Sequence, residues 1–389
     1  MKTPVPSAGE RATQARYQLM QLAAEMEDVV RLGAGDPDLH TPGEIVKEAV
    51  RLMGRGKGQI TEQGLDKLRE AISEQLADER ELDYAAETNV LITNGAQEAL
   101  FLSMLALVDP GDRVLVQDPR YSSYDQAVEA AGGKIVAIPP RGRHDFCLDP
   151  DELVARAGSA RVLVFVNPNN PTAALHPPDL VRSIARIADQ HDLVVLSDEV
   201  YDKLTFDSAE VLSIAQCERM RERTVVLSSF SKTYAMTGFR VGYLAGPAHF
   251  IQAVTRLKQA ISGPCPLFSQ YAALAALTES GQGRGRILET FAGRRRIMLQ
   301  GLDSLGIPYG APGGGFFIWA DISKFGRPAH DFCLELLREA RVLMFPGTAF
   351  GEHWKDFVRI SILEPEERLE EGIKRLGRFT AGSSEVTSE

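Results

Sequence analysis

The feature that most constrains the fold is a series of short apolar runs rich in β-branched residues. Such runs predict strands at 90–93, 113–117, 134–138, 162–166, 193–197 and 224–228. Helical patterns follow several of these runs, at 97–108, 124–131 and 179–190. Buried strands that alternate with helices are typical of a mostly parallel sheet. We therefore predict the α/β class, with helices on both faces of the sheet.

The pattern changes after about residue 287. A helical stretch at 287–305 leads to Gly313-Gly-Gly-Phe-Phe-Ile-Trp319, a helix at 328–340 and a strand at 357–362. A chain of 389 residues is also longer than one hydrophobic core normally supports. We predict an N-terminal segment that packs on the small domain, a large domain and a smaller α+β domain, in that order, at 1–40, 41–287 and 288–389.

Polar residues cluster where the predicted strands end. The clusters are Thr93-Asn-Gly-Ala-Gln97, Asp118-Pro-Arg-Tyr121, Asn167-Pro-Asn-Asn-Pro-Thr172, Asp198-Glu-Val-Tyr201 and Ser228-Ser-Phe-Ser-Lys232. Ligands of parallel sheets bind at the carboxyl ends of the strands. The sequence therefore predicts that these five segments meet around one ligand.

Lys232 follows an apolar strand and lies among serine hydroxyls, with Arg240 eight residues later. An amine that attacks an aldehyde must be partly deprotonated, and burial beside cations favours that state. Serine hydroxyls and an arginine are suitable donors to a phosphate. An isolated Ser-Lys pair is more typical of a solvated loop, but the neighbouring clusters fit the same chemistry.

Two further segments suit a pyridine cofactor and an acid substrate. A carboxylate such as Asp198 can keep a pyridine nitrogen protonated, and Tyr201 can hydrogen-bond a ring oxygen; a surface turn is the alternative for this segment. Arg359 lies within the apolar run Phe357-Val-Arg-Ile-Ser-Ile362, where a charge is costly unless paired. Its guanidinium suits a carboxylate, and an exposed edge strand is the alternative.

Together these motifs resemble the class I/II aminotransferases, which are fold-type I enzymes dependent on pyridoxal 5′-phosphate (PLP). The chain is most similar in pattern to the branch that contains bacterial aspartate and aromatic aminotransferases. The likeness runs from Leu32-Gly-Ala-Gly-Asp-Pro-Asp38 to Arg359-Ile-Ser361. It implies PLP as the cofactor and a seven-stranded-type sheet in the large domain.

The resemblance also implies a role for each residue of the clusters. Lys232 would hold the cofactor as a Schiff base and move protons, Asp198 would pair the pyridine nitrogen, and Tyr121 would stack on the ring. The implied catalytic residues are Lys232, Asp198 and Tyr201; the cofactor-binding residues are Gly95, Ala96, Gln97, Tyr121, Asn170, Asp198, Tyr201, Ser229, Lys232 and Arg240; the substrate-binding residues are Gly35, Asn170 and Arg359. No metal is implied.

Three positions depart from the family pattern. Gln59 stands where members usually carry a tyrosine that reaches the phosphate in the neighbouring subunit. Ala173 replaces the usual glycine after Asn170-Pro-Thr. Gln97 stands where some aspartate-specific members have a lysine, which weakens an aspartate assignment.

The function implied is ping-pong transfer of an amino group between an L-amino acid and a 2-oxo acid. The alternative is a PLP-dependent lyase or cyclase that acts on a modified amino acid, for example by C–S β-elimination or ring formation. A non-catalytic PLP-binding sensor is less favoured. The resemblance further implies a homodimer with shared active sites.

Charge and cysteine content limit the classes of partner and the cellular compartment that we expect. The net charge of −10 argues against nucleic-acid and membrane partners, which select clustered basic residues. Four widely spaced cysteines predict reduced thiols, and the N-terminus lacks the apolar stretch of a signal peptide. We therefore expect a cytoplasmic protein. Five cations are interpreted as solvated helix faces rather than partners of an acidic substrate: Arg256, Lys258, Arg294, Arg295 and Arg296.

Overall fold

The computed structural model describes residues 8–54, 60–279 and 281–383. Its α-helices, named α1 to α14 in chain order, are Ala8–Ala24, Gly43–Met53, Asp66–Arg80, Ala86–Asn89, Ala96–Leu107, Ser123–Ala130, Pro150–Ala157, Pro178–Gln190, Phe230–Thr233, Ala248–Ile261, Leu267–Glu279, Gly281–Ser304, Ala329–Ala340 and Glu366–Ser383. Its strands, β1 to β12, are Val30–Arg31, Val90–Thr93, Arg113–Gln117, Lys134–Ile138, Ala160–Val166, Val194–Asp198, Thr224–Ser229, Gly242–Ala245, Phe317–Asp321, Val342–Leu343, Phe345–Pro346 and Phe357–Ser361.

A seven-stranded sheet forms the centre, in the order β2-β8-β7-β6-β5-β3-β4. All pairs are parallel except those of β8, which runs antiparallel to β2 and β7. The predicted α/β class is confirmed, and each of the six predicted strands is present. The sequence pattern missed β8, because this strand has only four residues and begins with a glycine.

Alternate residues of the central strands enter different hydrophobic cores. In β5, Val162 and Val164 pack into one core with α5 and α6, whereas Leu163 and Phe165 pack into another with α7 and α8. Side chains of a strand alternate between the two faces of a sheet, so both faces are covered by helices. This arrangement explains why the strands are apolar throughout rather than alternating.

The C-terminal part builds a separate antiparallel sheet in the order β11-β12-β9. The N-terminal segment contributes β1, which pairs in parallel with β10, and α1 packs near α13. The N-terminal segment therefore contacts C-terminal elements, while the division into 1–40, 41–287 and 288–389 stays a prediction.

Helix α12 begins at Gly281, six residues before its predicted start. Three glycines in its first turns lower the intrinsic helix propensity, which hid the beginning of the helix from pattern analysis. In the described part of the chain, no helix has the length and apolarity needed to span a membrane.

Candidate active site

A cavity of about 440 Å³ opens at the carboxyl ends of the parallel strands. Every residue predicted for the site lines it except Gly95, which lies directly beneath Arg240. The fold brings these residues together because β2, β5, β6 and β7 end at one edge of the sheet and β12 approaches from the other sheet. Residues of α1 and of the loop after β1 close the remaining side.

Lys232 projects into the cavity from the short helix α9, directly after β7. Its Nζ donates to the Gly35 carbonyl oxygen at 2.7 Å and to Asp36 Oδ1 at 2.8 Å. Both acceptors belong to the loop after β1. The amine is therefore accessible from the cavity and is held by weakly buried partners, since the Asp36 side chain is 68% exposed.

Asp198 ends β6 and faces the same cavity. The Tyr124 hydroxyl donates to its Oδ2 at 2.7 Å and the Val200 amide donates to its Oδ1 at 3.1 Å. Burial raises the pKa of Asp198 to about 6, although these two hydrogen bonds lower it. Among the described residues, Asp198 has no cationic partner within ion-pair distance, so its ionised form suits a cationic ligand group.

The turn before α5 allows other groups to approach its backbone closely. Gly95 has φ of +79°, and a Cβ there would lie 2.7 Å from Arg240 Nη2. Gly242 of β8 packs against the same turn: its Cβ would lie 3.0 Å from the Gly95 carbonyl carbon. A guanidinium above backbone amides at the start of a helix forms a cradle for an anion. The cavity wall continues with Ala96, Gln97, Ser229, Ser231 and Thr237.

Arg359 is 3% exposed in β12, the middle strand of its sheet, so the alternative of an exposed edge strand is wrong. Its nitrogens donate to Asn170 Oδ1 at 3.2 Å and to the Gly33 carbonyl oxygen at 3.1 Å. Nε has no partner among the described residues. Burial, followed by the charge of Arg16, lowers the pKa of Arg359 to about 9. A carboxylate ligand would satisfy this group.

Tyr121, Asn170 and Tyr201 surround the space between Asp198 and Arg359. Burial raises the pKa of the Tyr201 hydroxyl, which therefore stays protonated. Ala173 adopts φ of +58°, a conformation that favours glycine. The departure at this position therefore keeps the left-handed turn of the segment.

Tyr124 and Arg16 are among the cavity residues that the sequence analysis did not identify. Tyr124 lies one helical turn after Tyr121, and its register toward Asp198 depends on how α6 packs. Arg16 of α1 lies with its guanidinium carbon 5.8 Å from the ring centre of Tyr121 and 5.9 Å from that of Phe345. Nothing in the sequence around Arg16 marks it, because α1 reaches the cavity only through the tertiary fold.

The solvated interpretation of the helix cations is wrong for two of the five. Lys258 is 0% exposed and pairs with Glu98 at 2.7 Å. Arg294 is 5% exposed and makes two hydrogen bonds to the Asp38 carboxylate, at 2.7 and 2.8 Å. Neither cation lines the cavity. Gln59, the third departure, lies outside the described residues.

Comparison with known proteins places this cavity in a family. The aromatic-amino-acid aminotransferase 2 of Thermococcus litoralis is 35% identical, and the match covers 92% of this chain and 93% of that protein. The aspartate aminotransferase of Pyrococcus abyssi is also 35% identical, over 92% of this chain and 93% of its own.

Solved structures agree with the sequence relatives. The crystal structure of an aromatic aminotransferase from Pyrococcus horikoshii has a TM-score of 0.89 at 34% identity, covering 94% of this chain and 99% of that one. The N-succinyldiaminopimelate aminotransferase of Mycobacterium tuberculosis has a TM-score of 0.90 at 33% identity, covering 96% and 100%. The sequence pattern of the aminotransferase class I and II family matches residues 27–376. The chain belongs to the aminotransferase class I and II family.

Proposed function

We propose that the protein is a PLP-dependent aminotransferase that moves an amino group between an L-amino acid and a 2-oxo acid by a ping-pong mechanism. The observation that carries the proposal is one cavity with three groups: the Lys232 amine, the Asp198 carboxylate without a cationic partner among the described residues, and the Arg359 guanidinium without a carboxylate there. The names of its relatives, aspartate and aromatic aminotransferases, support the same reaction.

The residues present fit PLP. The cradle of Gly95, Ala96 and Arg240 suits the phosphate, with Gln97 and Ser229 beside it. Tyr121 offers a ring for stacking, while Asn170 and Tyr201 offer hydrogen-bonding groups for the ring oxygen. Asp198 would face the pyridine nitrogen. When bound, PLP supplies an electron sink for the pair left at Cα.

The chain's own groups would do the remaining work. Arg359, with Asn170 and the loop of Gly35, would bind the substrate α-carboxylate and so fix which Cα bond faces Lys232. The Lys232 amine would take the Cα proton and deliver it to the cofactor carbon that receives the amino group. Tyr124 would hold Asp198 in place through its hydrogen bond. We propose catalytic roles for Lys232, Asp198 and Tyr201.

We also propose a cytoplasmic homodimer with shared active sites. An exposed apolar surface supports the dimer: Val46, Val50 and Met53 of α2 are 41–59% exposed, and Phe268 of the adjacent α11 is 52% exposed. Large apolar side chains that are exposed on two neighbouring helices are typical of an interface. The four free cysteines are compatible with a reducing compartment.

A lysine substitution tests the catalytic proposal. Lys232→Ala removes the amine, so we expect the near-visible absorption band of lysine-bound PLP to disappear. Turnover of an amino acid with a 2-oxo acid should fall by a factor of about 10² to 10⁴ or more. Lys203→Ala, at a lysine outside the cavity, is the control. Normal turnover by the Lys232 variant would contradict the proposal.

A further inference from the structure

Lys258 is a fully buried charge outside the cavity, on α10. Its Nζ donates to Glu98 Oε2 at 2.7 Å and to Ser262 Oγ at 3.3 Å. A buried lysine is costly unless it is paired. The proposed reaction uses neither Lys258 nor Glu98, so the pair requires another explanation.

Glu98 lies in the first turn of α5 and accepts hydrogen bonds from Asn94, the residue before Gly95. Its carboxylate accepts from the Asn94 backbone amide at 2.6 Å and from the Asn94 side-chain amide at 2.9 Å. Burial raises the pKa of Glu98, but hydrogen bonds from Lys258, Ser262 and Asn94 outweigh it and leave the pKa below its usual value. Glu98 is therefore an anion that fixes the Asn94–Gly95 turn.

An anion at this position opposes phosphate binding at the same turn. Charges interact strongly in a partly buried setting, where water screens them poorly. The pair is also near Arg240 through Cys265. Cys265 Sγ lies 3.7 Å from the Arg240 carbonyl oxygen, and burial raises the pKa of this thiol to about 12, with further contributions from the charges of Lys258, Glu98 and Arg240. Neutralising the charge of Glu98 would remove its repulsion of the phosphate and keep its hydrogen bonds to Asn94.

We propose that Lys258 is a positioning residue for the cofactor phosphate: it neutralises Glu98, so that this carboxylate can hold the Asn94–Gly95 turn without repelling the phosphate. The proposal rests on the proposed function, because it takes the turn as the phosphate site. It concerns the phosphate alone and not the pyridine ring.

The test compares PLP with pyridoxal, which lacks the phosphate. Dissociation constants of both are measured by absorbance on the apoprotein of the wild type and of Lys258→Met. We expect the variant to bind PLP about tenfold more weakly or worse, which is about 1.4 kcal/mol, and to bind pyridoxal with little change. Lys203→Met, which removes a lysine paired with Glu79, is the matched control and should change neither constant.

Two Glu98 variants separate positioning from folding. Glu98→Gln keeps an oxygen that can accept from Asn94 but removes the charge, so its preference for PLP over pyridoxal should not fall. The double variant Lys258→Met/Glu98→Gln should recover most of the PLP affinity that Lys258→Met loses. An absence of recovery would overturn the proposal.

The outcomes distinguish three cases. Equal weakening of PLP and pyridoxal by Lys258→Met would show a purely structural role and overturn the inference. Unchanged PLP affinity would overturn it as well. A wild-type apoprotein that binds no PLP at all would overturn the proposed function instead.

Discussion

At the scale of single residues, the buried Asp198 carboxylate lowers the stability of the PLP-free protein, although the proposed function uses its charge. Its folded pKa of about 6 lies above the ordinary 3.8 of an aspartate, so the unfolded chain ionises more readily. Ionisation of this carboxylate does not lower the free energy of unfolding below pH 3.8. The destabilisation grows between pH 3.8 and pH 6 and is complete above pH 6. The difference between these two pKa values sets an upper limit of roughly 3 kcal/mol, and solvent screening lowers the actual loss below that limit.

Asp198→Asn should therefore stabilise the PLP-free protein. We expect a higher melting temperature at pH 8 and a smaller gain at pH 5, measured by thermal unfolding of the apoprotein. The control is Asp179→Asn, since the Asp179 side chain is 98% exposed. Asp198→Asn should also bind PLP more weakly than the wild type does. A gain that does not shrink at pH 5 would contradict the assignment of the raised pKa.

The predictability of single residues depended on their place in the chain. Lys232 and Asp198 follow apolar strands, and strand ends meet at one edge of a parallel sheet. Lys258 and Arg294 lie on helices, where a sequence pattern does not reveal which partner a neighbouring element supplies. Arg16 reaches the cavity only because β1 pairs with β10 and thereby docks the N-terminal segment.

At the scale of elements, the start of α5 depends on glycine for space as well as for conformation. A Cβ at Gly95 would lie 2.7 Å from Arg240 Nη2, so Gly95→Ala should displace the guanidinium from the phosphate cradle. We expect PLP affinity to fall by at least about tenfold, as for loss of a charged hydrogen bond, measured by absorbance titration.

Gly111 provides a matched control for this substitution. It has φ of +95°, and a Cβ there would meet nothing within 4 Å. Gly111→Ala therefore introduces comparable backbone strain without touching Arg240. If both variants lose stability and PLP affinity to the same extent, strain alone explains the effect and the crowding of Arg240 does not.

Elements with strong periodicity could be predicted, and those with weak local preference could not. The pattern located β5 and α8 within two residues of their bounds. It missed β8, whose place between β2 and β7 comes from long-range antiparallel pairing. Tertiary context decides such short strands more than their own composition.

At the scale of the whole molecule, the exposed apolar surface of α2 and α11 predicts self-association. Val50→Asp places a charge on a residue that is 59% exposed within this surface. We expect the variant to shift from dimer to monomer and to lose bound PLP, measured by light scattering coupled to gel filtration. The control is Val154→Asp, since Val154 is 47% exposed on α7. A wild type that is monomeric would contradict the prediction.

The arrangement of the whole chain was partly predictable. The change of pattern near residue 287 predicts a smaller α+β domain, and β9, β11 and β12, which follow that residue, form a sheet separate from the seven-stranded one. The approach of Arg359 to Asn170 could not be derived from periodicity, since the two lie 189 residues apart, Arg359 in β12 and Asn170 in the loop after β5. The resemblance to a family supplied that pairing.

One measurement tests the central claim most directly. The PLP-loaded protein is mixed with single amino acids in the absence of any 2-oxo acid, and the near-visible absorption band is followed together with the products. We predict that the band is lost in one turnover, that one 2-oxo acid forms per site without ammonia, and that adding a 2-oxo acid restores the band. Continuous release of ammonia, or a cyclised product with the band intact, would contradict aminotransfer and favour the lyase or cyclase reaction.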